Sequence, residues 1–166
     1  IETRKEDVNV SPEYIQEICR SVIDLLKPQA QAKGLELQAE LDETIPLYMC
    51  NRDRISQMLI NLIENAIKYT EKGYVKVKCK NQDSFLEIIV EDTGIGIPED
   101  SRERIFERFY RVDKGRSRKA GGTGLGLSIV KHILMLYDGR VSVTRGEECG
   151  SRFTVILPYG HKTIVH

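Results

Sequence analysis

The sequence predicts an α+β domain, an α/β sandwich in which helices pack on one face of a mixed, largely antiparallel sheet. Stretches of strand-like alternation and helix-like periodicity follow one another in the order β-α-β-β-α-β-β-α-α-β-β. Most successive strands are joined by short turns, which favours hairpins over parallel crossovers. With 166 residues, 40% of them hydrophobic, the chain is long enough for one domain with its own core.

The first third of the chain predicts an amphipathic helix between two strands. Residues 8–10 form a short apolar strand, and Ser11 and Pro12 then supply an N-cap and a favoured first helical residue. Apolar side chains recur at helical spacing over residues 15–26. Alternation of apolar and polar residues over 35–41 predicts the strand that follows.

The remainder of the chain predicts two hairpins, a further short strand and three helices. Strands are expected at residues 47–50, 74–80, 85–92, 140–144 and 151–157. Helices are expected at residues 53–69, 98–109 and 124–137. A loop rich in Gly, Lys, Arg and Ser separates the last two helices, and we expect one domain over residues 1–160 with a tail at 161–166.

The charge balance argues against an overall preference for polyanions. Lys and Arg number 25, and Asp and Glu also number 25, so the chain has no formal net charge. Nucleic-acid and anionic-membrane binders instead carry a basic footprint. No apolar run approaches the roughly 18–20 residues of a membrane-spanning helix, and the cysteines form no metal-binding pattern. Because the sequence lacks a signal peptide and a starting Met, we expect a cytoplasmic domain of a longer chain, with reduced cysteines.

A polar stripe runs along the helix expected at residues 53–69. At about 100° per residue, the stripe between the two apolar sides consists of Asn61, Glu64, Asn65 and Lys68. Asn is a poor mid-helix residue because its side chain competes for backbone hydrogen bonds, so two Asn one turn apart need partners. Amide oxygens at this spacing suit Mg²⁺, and Lys68 suits a phosphate. The alternative is a solvated helix face that happens to contain Asn.

Asp92 ends the more strictly apolar face of the strand at residues 85–92. A buried carboxylate is costly unless donors reach it, so this position predicts a polar partner. Gly94 and Gly96 follow at once, and they allow unusual dihedral angles or a close approach of a ligand to the backbone. Asp92 is therefore either an acceptor for an exocyclic amino group, such as that of adenine, or a turn residue that caps the loop.

A glycine-rich segment at residues 121–127 leads into the last helix, and the residues before it, 111–119, are basic. Helix N-termini with free N–H groups bind phosphates. The Gly-x-Gly-x-Gly spacing is neither a dinucleotide-binding fingerprint nor a P-loop. The segment is either part of a lid over a triphosphate or a solvated surface loop. The polar stripe, Asp92 and this loop together fit one ligand, an adenine nucleotide with Mg²⁺.

Five segments resemble, in order, the motifs of the catalytic ATP-binding domain of sensor histidine kinases. Residues 61–70 (NLIENAIKYT) are similar to the N box, 92–97 (DTGIGI) to the first glycine box, and 104–113 (RIFERFYRVD) to the phenylalanine box. Residues 122–127 (GTGLGL) and 150–154 (GSRFT) resemble the two later glycine boxes. The phenylalanine box points towards phosphate-type or related membrane sensor kinases. The resemblance implies the Bergerat ATP-binding fold, which gyrase and the mismatch-repair ATPases share.

The resemblance implies a site for ATP and Mg²⁺. It places Mg²⁺ at Asn65 and Asn61. Lys68 and Arg111 contact the phosphates and, together with Asn65, are the expected catalytic residues, because phosphoryl transfer depends on positioning and on stabilising negative charge.

The resemblance also implies a base pocket and a lid. Tyr69 lies against the adenine ring, and Asp92 accepts a hydrogen bond from the adenine amino group. Gly94 and Gly96 leave room for the base. The other nucleotide contacts implied by the motifs are Ile97, Tyr110, Gly122, Thr123, Gly124, Leu125, Gly126, Leu127 and Ser151.

The activity that the resemblance implies is donation of the γ-phosphoryl group of ATP to a His on a separate dimerisation hairpin. None of His132, His161 and His166 has the sequence context of that acceptor, so the hairpin is expected upstream, in a homodimeric and membrane-anchored parent protein. The next partner is the receiver domain of a response regulator. Where gyrase-like relatives have a water-activating glutamate, this chain has Asn61, which cannot act as a general base.

Two other functions share these motifs. A free-standing serine kinase of the anti-sigma-factor type has the same boxes, and a nucleotide-sensing module would have them without catalysis. The long phenylalanine box and the first helix favour the sensor kinase. Intact Asn65, Asp92 and glycine boxes argue against an inactive site.

Overall fold

The computed structural model describes residues 7–108, 110 and 126–160. In this part of the chain the α-helices are α1 (Ile15–Ala32), α2 (Arg52–Lys68) and α3 (Gly126–Met135). The strands are β1 (Ser11–Glu13), β2 (Glu36–Leu41), β3 (Tyr48–Cys50), β4 (Tyr74–Asn81), β5 (Phe85–Asp92), β6 (Arg140–Arg145) and β7 (Ser151–Pro158). None of these helices is both long and apolar enough to cross a membrane.

Five strands form one mixed sheet in the order β2-β4-β5-β7-β6. β2 and β4 are parallel, and the other neighbouring pairs are antiparallel. Along β4, β5 and β7, buried residues alternate with less buried ones, so one face of the sheet contributes to the core. The buried side chains of α1, α2 and α3 join this face in a single cluster. The predicted fold class, helices on one face of a largely antiparallel sheet, is confirmed.

Side chains fix α2 at both ends. At the N-terminus, Asn51 Oδ1 accepts a hydrogen bond from Arg54 N (3.1 Å) and so caps the helix. At the C-terminus, Lys33 Nζ donates to the carbonyl oxygens of Ile67 (2.7 Å) and Lys68 (3.0 Å), which have no intrahelical donor. The contacts of Lys33 hold the end of α2 that carries the predicted polar stripe.

The N-terminal segment differs from the sequence prediction. Residues 8–10 are not a strand, and Ser11 and Pro12 do not begin the helix. They belong instead to β1, which pairs with β3 in a separate two-stranded antiparallel sheet, and α1 begins at Ile15. A ladder with a distant strand satisfies more backbone groups than a single N-cap, and proline is tolerated in an edge strand.

The prediction of a helix at residues 98–109 is also wrong. Two 3₁₀ helices, Glu99–Ser101 and Arg104–Phe106, take its place. The buried apolar side chains within residues 98–108 are Ile105 and Phe106. Two adjacent apolar positions do not form the stripe that stabilises an amphipathic helix through packing.

A buried cluster ties the N-terminal segment to α2 and to the turn after α3. The Asp7 carboxylate accepts hydrogen bonds from the Tyr137 hydroxyl and from Arg54 Nε (2.5 Å). The Tyr137 hydroxyl in turn accepts from Asn51 N (2.9 Å). Asp138, with a φ of +56°, lies in the turn after α3, and the anchoring role of Tyr137 was not predicted from the sequence.

Tyr137→Phe is expected to lower the free energy of unfolding by about 1–3 kcal/mol. Removal of the hydroxyl deprives the buried Asp7 carboxylate and the partly buried Asn51 N–H of one hydrogen-bond partner each. Urea unfolding followed by circular dichroism measures the loss. Tyr159→Phe is the matched control, because the Tyr159 hydroxyl donates to Asn81 Oδ1 at the surface. Equal stabilities of the two variants would contradict this role for Tyr137.

Candidate functional site

The C-terminal half of α2, the loop after β5 and the start of α3 are in direct contact. Asn61 Nδ2 donates a hydrogen bond to the carbonyl oxygen of Gly126, the first residue of α3 (3.3 Å). The carbonyl oxygen of Tyr69, directly after α2, accepts from Ile95 N in the loop after β5 (3.3 Å). The fold therefore brings together the polar stripe, the loop that follows Asp92 and the helix that follows the glycine-rich segment.

The polar stripe on α2 lies outside the core, whereas its flanks are buried. Asn61 and Asn65 are half-buried and Lys68 is exposed. The oxygen of the Asn61 amide and the whole side-chain amide of Asn65 have no hydrogen-bond partner among the described residues. Two amide oxygens one helical turn apart are suitable ligands for Mg²⁺. The buried residues on the flanks are Ile55, Met58, Leu59, Leu62, Ile63, Ala66 and Ile67.

Asp92 is a buried carboxylate, 3% exposed, that accepts three hydrogen bonds. Its Oδ1 accepts from Gly94 N (2.9 Å) and Ser151 N (3.2 Å), and its Oδ2 accepts from Ser151 Oγ (2.8 Å). Burial raises the pKa of this carboxyl, and the hydrogen bonds from Gly94 and Ser151 oppose the rise. The bond from Gly94 is the loop cap that the sequence offered as one alternative. The Oδ2 atom keeps acceptor capacity for a further donor.

Two glycines allow backbone segments to close on Asp92 and on the end of α2. A Cβ on Gly94 would lie 2.2 Å from the Tyr69 carbonyl oxygen, so a side chain would push this loop away from the helix. Gly150 has a φ of +73°, and a Cβ there would lie 2.2 Å from the Asp92 carbonyl oxygen and 2.7 Å from Asp92 Oδ1. Both positions require the absence of a side chain.

Two threonines that were not predicted as site residues fix the same region. Thr70 Oγ1 donates to the carbonyl oxygen of Ala66 (2.7 Å) at the end of α2. Thr93 Oγ1 donates to the carbonyl oxygen of Lys72 (2.8 Å) and accepts from Tyr74 N (3.1 Å). A hydroxyl residue directly after a helix or a strand is a local signal for such bonds.

The remaining described residues of the predicted site pack against the core. Tyr110 is partly buried, its hydroxyl lies 2.9 Å from Ser101 Oγ, and the Arg104 guanidinium lies 4.6 Å from its ring centroid. Ile97 and Leu127 are partly buried apolar residues. The predicted site residues that fall outside the described part of the chain are Arg111, Gly122, Thr123, Gly124 and Leu125.

The chain is similar to one family of ATPases and to the catalytic domains of histidine kinases. Residues 50–161 match the family described as "Histidine kinase-, DNA gyrase B-, and HSP90-like ATPase". The sensor histidine kinase RppB of Synechocystis sp. is 41% identical over 138 residues, which cover 82% of this chain and 30% of RppB. The structure of full-length ShkA in complex with AMPPNP matches with a TM-score of 0.79 and 32% identity, over 95% of this chain and 33% of that one. A nucleotide-free catalytic domain of the histidine kinase ThkA matches with a TM-score of 0.80 and 29% identity, over 91% and 96%.

The chain spans 13–37% of the length of the first curated relatives it matches. It spans nearly the whole of the isolated ThkA catalytic domain. The family match includes α2, Asp92 and β7. The chain therefore belongs to the histidine kinase-, DNA gyrase B- and HSP90-like ATPase family, as the ATP-binding catalytic domain of a sensor histidine kinase.

Proposed function

We propose that this domain binds ATP with Mg²⁺ and donates the γ-phosphoryl group to a histidine on a dimerisation hairpin of the same parent protein. The observation that carries the proposal is Asp92, a buried carboxylate with spare acceptor capacity at the end of β5. The loop after Asp92 contacts the end of α2, which bears the amide and ammonium groups of the stripe. These are the groups that a base, a metal ion and phosphates need.

The base pocket combines an acceptor with two glycines. Asp92 Oδ2 accepts a hydrogen bond from the 6-amino group of adenine, whereas guanine would present a carbonyl oxygen to the carboxylate. Gly94, which packs closely against the Tyr69 carbonyl oxygen, and Gly96, which has a φ of +76°, let the loop take the conformation in which it borders the base. Tyr69, half-buried at the end of α2, lies against the ring.

The donor set on α2 fits Mg²⁺. Asn65 and Asn61 would hold the ion through their amide oxygens, which lie one turn apart and have no partner among the described residues. When bound, Mg²⁺ supplies positive charge that offsets the negative charge of the phosphates. Because Asn61 also donates to Gly126 O, it links the metal-binding face of α2 to the first residue of α3.

The phosphates lie between the end of α2 and the start of α3. Lys68 is exposed and follows Asn65 on the same helix face, so its ammonium group reaches the phosphate oxygens. Arg111 contributes a second positive charge. The first turn of α3, which begins at Gly126, contributes the positive end of the helix dipole. Residues 122–125, which lie outside the described part of the chain, would add backbone N–H groups.

The site favours phosphoryl transfer over hydrolysis. Asn61 donates to Gly126 O and has no charge with which to take a proton from water. The γ-phosphoryl group is therefore transferred to the histidine of the hairpin and not to water. From the histidine it passes to the receiver domain of a response regulator. The relatives that bear the name sensor histidine kinase support a sensor kinase as the parent protein. We further propose that this parent is a homodimer, anchored in a membrane, that holds the domain in the cytoplasm.

Asn65→Ala is expected to remove most of the increase in nucleotide affinity that Mg²⁺ causes, because it deletes one of two amide ligands. The affinity for the metal should fall at least about tenfold, because a loss of about this size is typical even when the mutated residue only contacts a metal ligand. Calorimetric titration with an ATP analogue, with and without Mg²⁺, measures the effect. Gln57→Ala, at an exposed position of the same helix, is the control. A Mg²⁺ dependence retained by Asn65→Ala would show that the metal binds elsewhere.

Transfer from radiolabelled ATP to the parent protein's own helical hairpin tests the function. The chain, mixed with the separately produced hairpin, should label it with an acid-labile phosphate, as a phosphohistidine is. An acid-stable phosphate would instead indicate a serine kinase. Tight ATP binding without any transfer would indicate a nucleotide-sensing module.

A further inference from the structure

The loop between β6 and β7, residues 146–150, forms one wall around Asp92. A Cβ on Gly150 would lie 2.7 Å from Asp92 Oδ1, and a Cβ on Gly146 would lie 3.2 Å from the Asp92 carbonyl oxygen. Ser151, which follows the loop directly, donates to both carboxylate oxygens of Asp92. The position of this loop therefore sets the direction in which the Asp92 carboxylate points.

Glu91 holds this loop from the face of the sheet opposite to the helices. Successive residues of a strand alternate between the two faces of the sheet, so the Glu91 side chain points away from the core. The side chain is nevertheless buried. Glu91 Oε2 accepts from Glu147 N in the loop (2.7 Å), and Oε1 accepts from Arg152 Nε (2.9 Å) and lies 2.9 Å from Arg152 Nη2. Burial opposes ionisation, yet the bonds from Glu147 and Arg152 hold the pKa of the Glu91 carboxyl below its usual value.

The other attachments of the loop are weaker. Tyr74 OH donates to Glu148 Oε2 (3.1 Å) at an exposed position. The Cys149 thiol lies 3.6 Å from the Thr93 carbonyl oxygen and is exposed. The bond from Glu147 N has a charged and buried acceptor, the Glu91 carboxylate, so it restrains the loop more strongly than either of these exposed contacts.

We propose that Glu91 is a positioning residue for base recognition: through Glu147 N it fixes the 146–150 loop, and through that loop it aims the Asp92 carboxylate at the 6-amino group of the base. The inference rests on the proposed function, since it takes Asp92 as the adenine acceptor. Glu91 itself faces the opposite side of the sheet and touches no nucleotide.

The test measures selectivity for the 6-amino group. The chain is titrated with ATP and with purine riboside triphosphate, which differs from ATP by the absence of that group. The wild type should bind ATP at least about tenfold more tightly than purine riboside triphosphate, since one hydrogen bond to a charged group contributes about that much affinity. Glu91→Leu should reduce this ratio by at least about threefold, as expected for residues coupled in one network. Glu87→Leu, on the same strand and face, is the control and should leave the ratio unchanged.

Glu147→Pro removes the N–H that donates to Glu91 and leaves the buried carboxylate in place. This variant therefore tests the positioning role of Glu91 even if Glu91→Leu fails to fold. Glu91→Gln keeps an acceptor for Glu147 N and should retain most of the selectivity. An unchanged ratio in Glu147→Pro, or a loss of affinity for both nucleotides by the same factor, would overturn the positioning role. A wild type that binds both nucleotides equally would refute the adenine assignment of Asp92 instead.

Discussion

Asp92→Asn should weaken the binding of an adenine nucleotide by about 10- to 100-fold, the range that corresponds to one hydrogen bond to a charged group. The substitution keeps the shape of the side chain, and the remaining oxygen can still accept from Gly94 N and Ser151 N. The new amide nitrogen lies where Oδ2 accepts from Ser151 Oγ, and the hydroxyl can turn to accept instead. The second amide hydrogen, however, points towards the adenine amino group, which is itself a hydrogen-bond donor. Two donors then face each other and the hydrogen bond to the base is lost.

Titration calorimetry of the variant and the wild type with the same ATP analogue measures this loss. Asp83→Asn, in the exposed turn between β4 and β5, is the matched control and should bind as the wild type does. Thermal unfolding of both variants separates a loss of binding from a loss of folding. Unchanged affinity in Asp92→Asn would show that the carboxylate only caps the loop.

Gly150→Ala should both destabilise the domain and abolish tight nucleotide binding. A left-handed conformation costs a non-glycine residue about 1–2 kcal/mol, and the contacts of the added methyl group cost about 1–3 kcal/mol more. The methyl group would meet Asp92 O at 2.2 Å, and Asp92 Oδ1 and Gly94 N at 2.7 Å. Relief of these contacts requires movement of the strand end, the loop or the carboxylate, and each of these movements disturbs the base pocket.

Gly34→Ala separates the two contributions. Gly34 has the same φ of +73°, but no atom of the described residues, apart from Gly34 and its two chain neighbours, lies within 4 Å of an added Cβ. This variant should therefore lose only the conformational term, about 1–2 kcal/mol, and keep its nucleotide affinity. Urea unfolding and calorimetry on both variants measure the difference. Equal losses of stability, with binding intact in Gly150→Ala, would contradict the described packing around Asp92.

Elements with a long, regular hydrophobic pattern are predictable from the sequence. The pattern places α2 within one residue of its observed bounds, and it gives β5 its observed bounds, because each has an unbroken apolar periodicity next to a turn or cap. The helix and strand periods also identify Asn61, Asn65 and Asp92 as polar residues in unusual positions. These three residues carry most of the proposed site.

Features that depend on distant partners are not predictable in this way. Ser11 and Pro12 form a good local helix start, but pairing with β3, more than 30 residues along the chain, takes precedence. Glu91 looks like an ordinary solvent-facing residue of a strand, and only the fold shows that Glu147 N and Arg152 bury it. The asymmetry is physical, because local periodicity reports which face is buried and not which partner covers the other face.

The most direct test of the central claim is calorimetric titration of this chain with a non-hydrolysable ATP analogue, with and without Mg²⁺, and with the corresponding GTP analogue. We expect binding of the adenine nucleotide that Mg²⁺ strengthens, and much weaker binding of the guanine nucleotide. Binding that is indifferent to the base would contradict the role of Asp92. Binding that is indifferent to Mg²⁺ would contradict the role of Asn61 and Asn65.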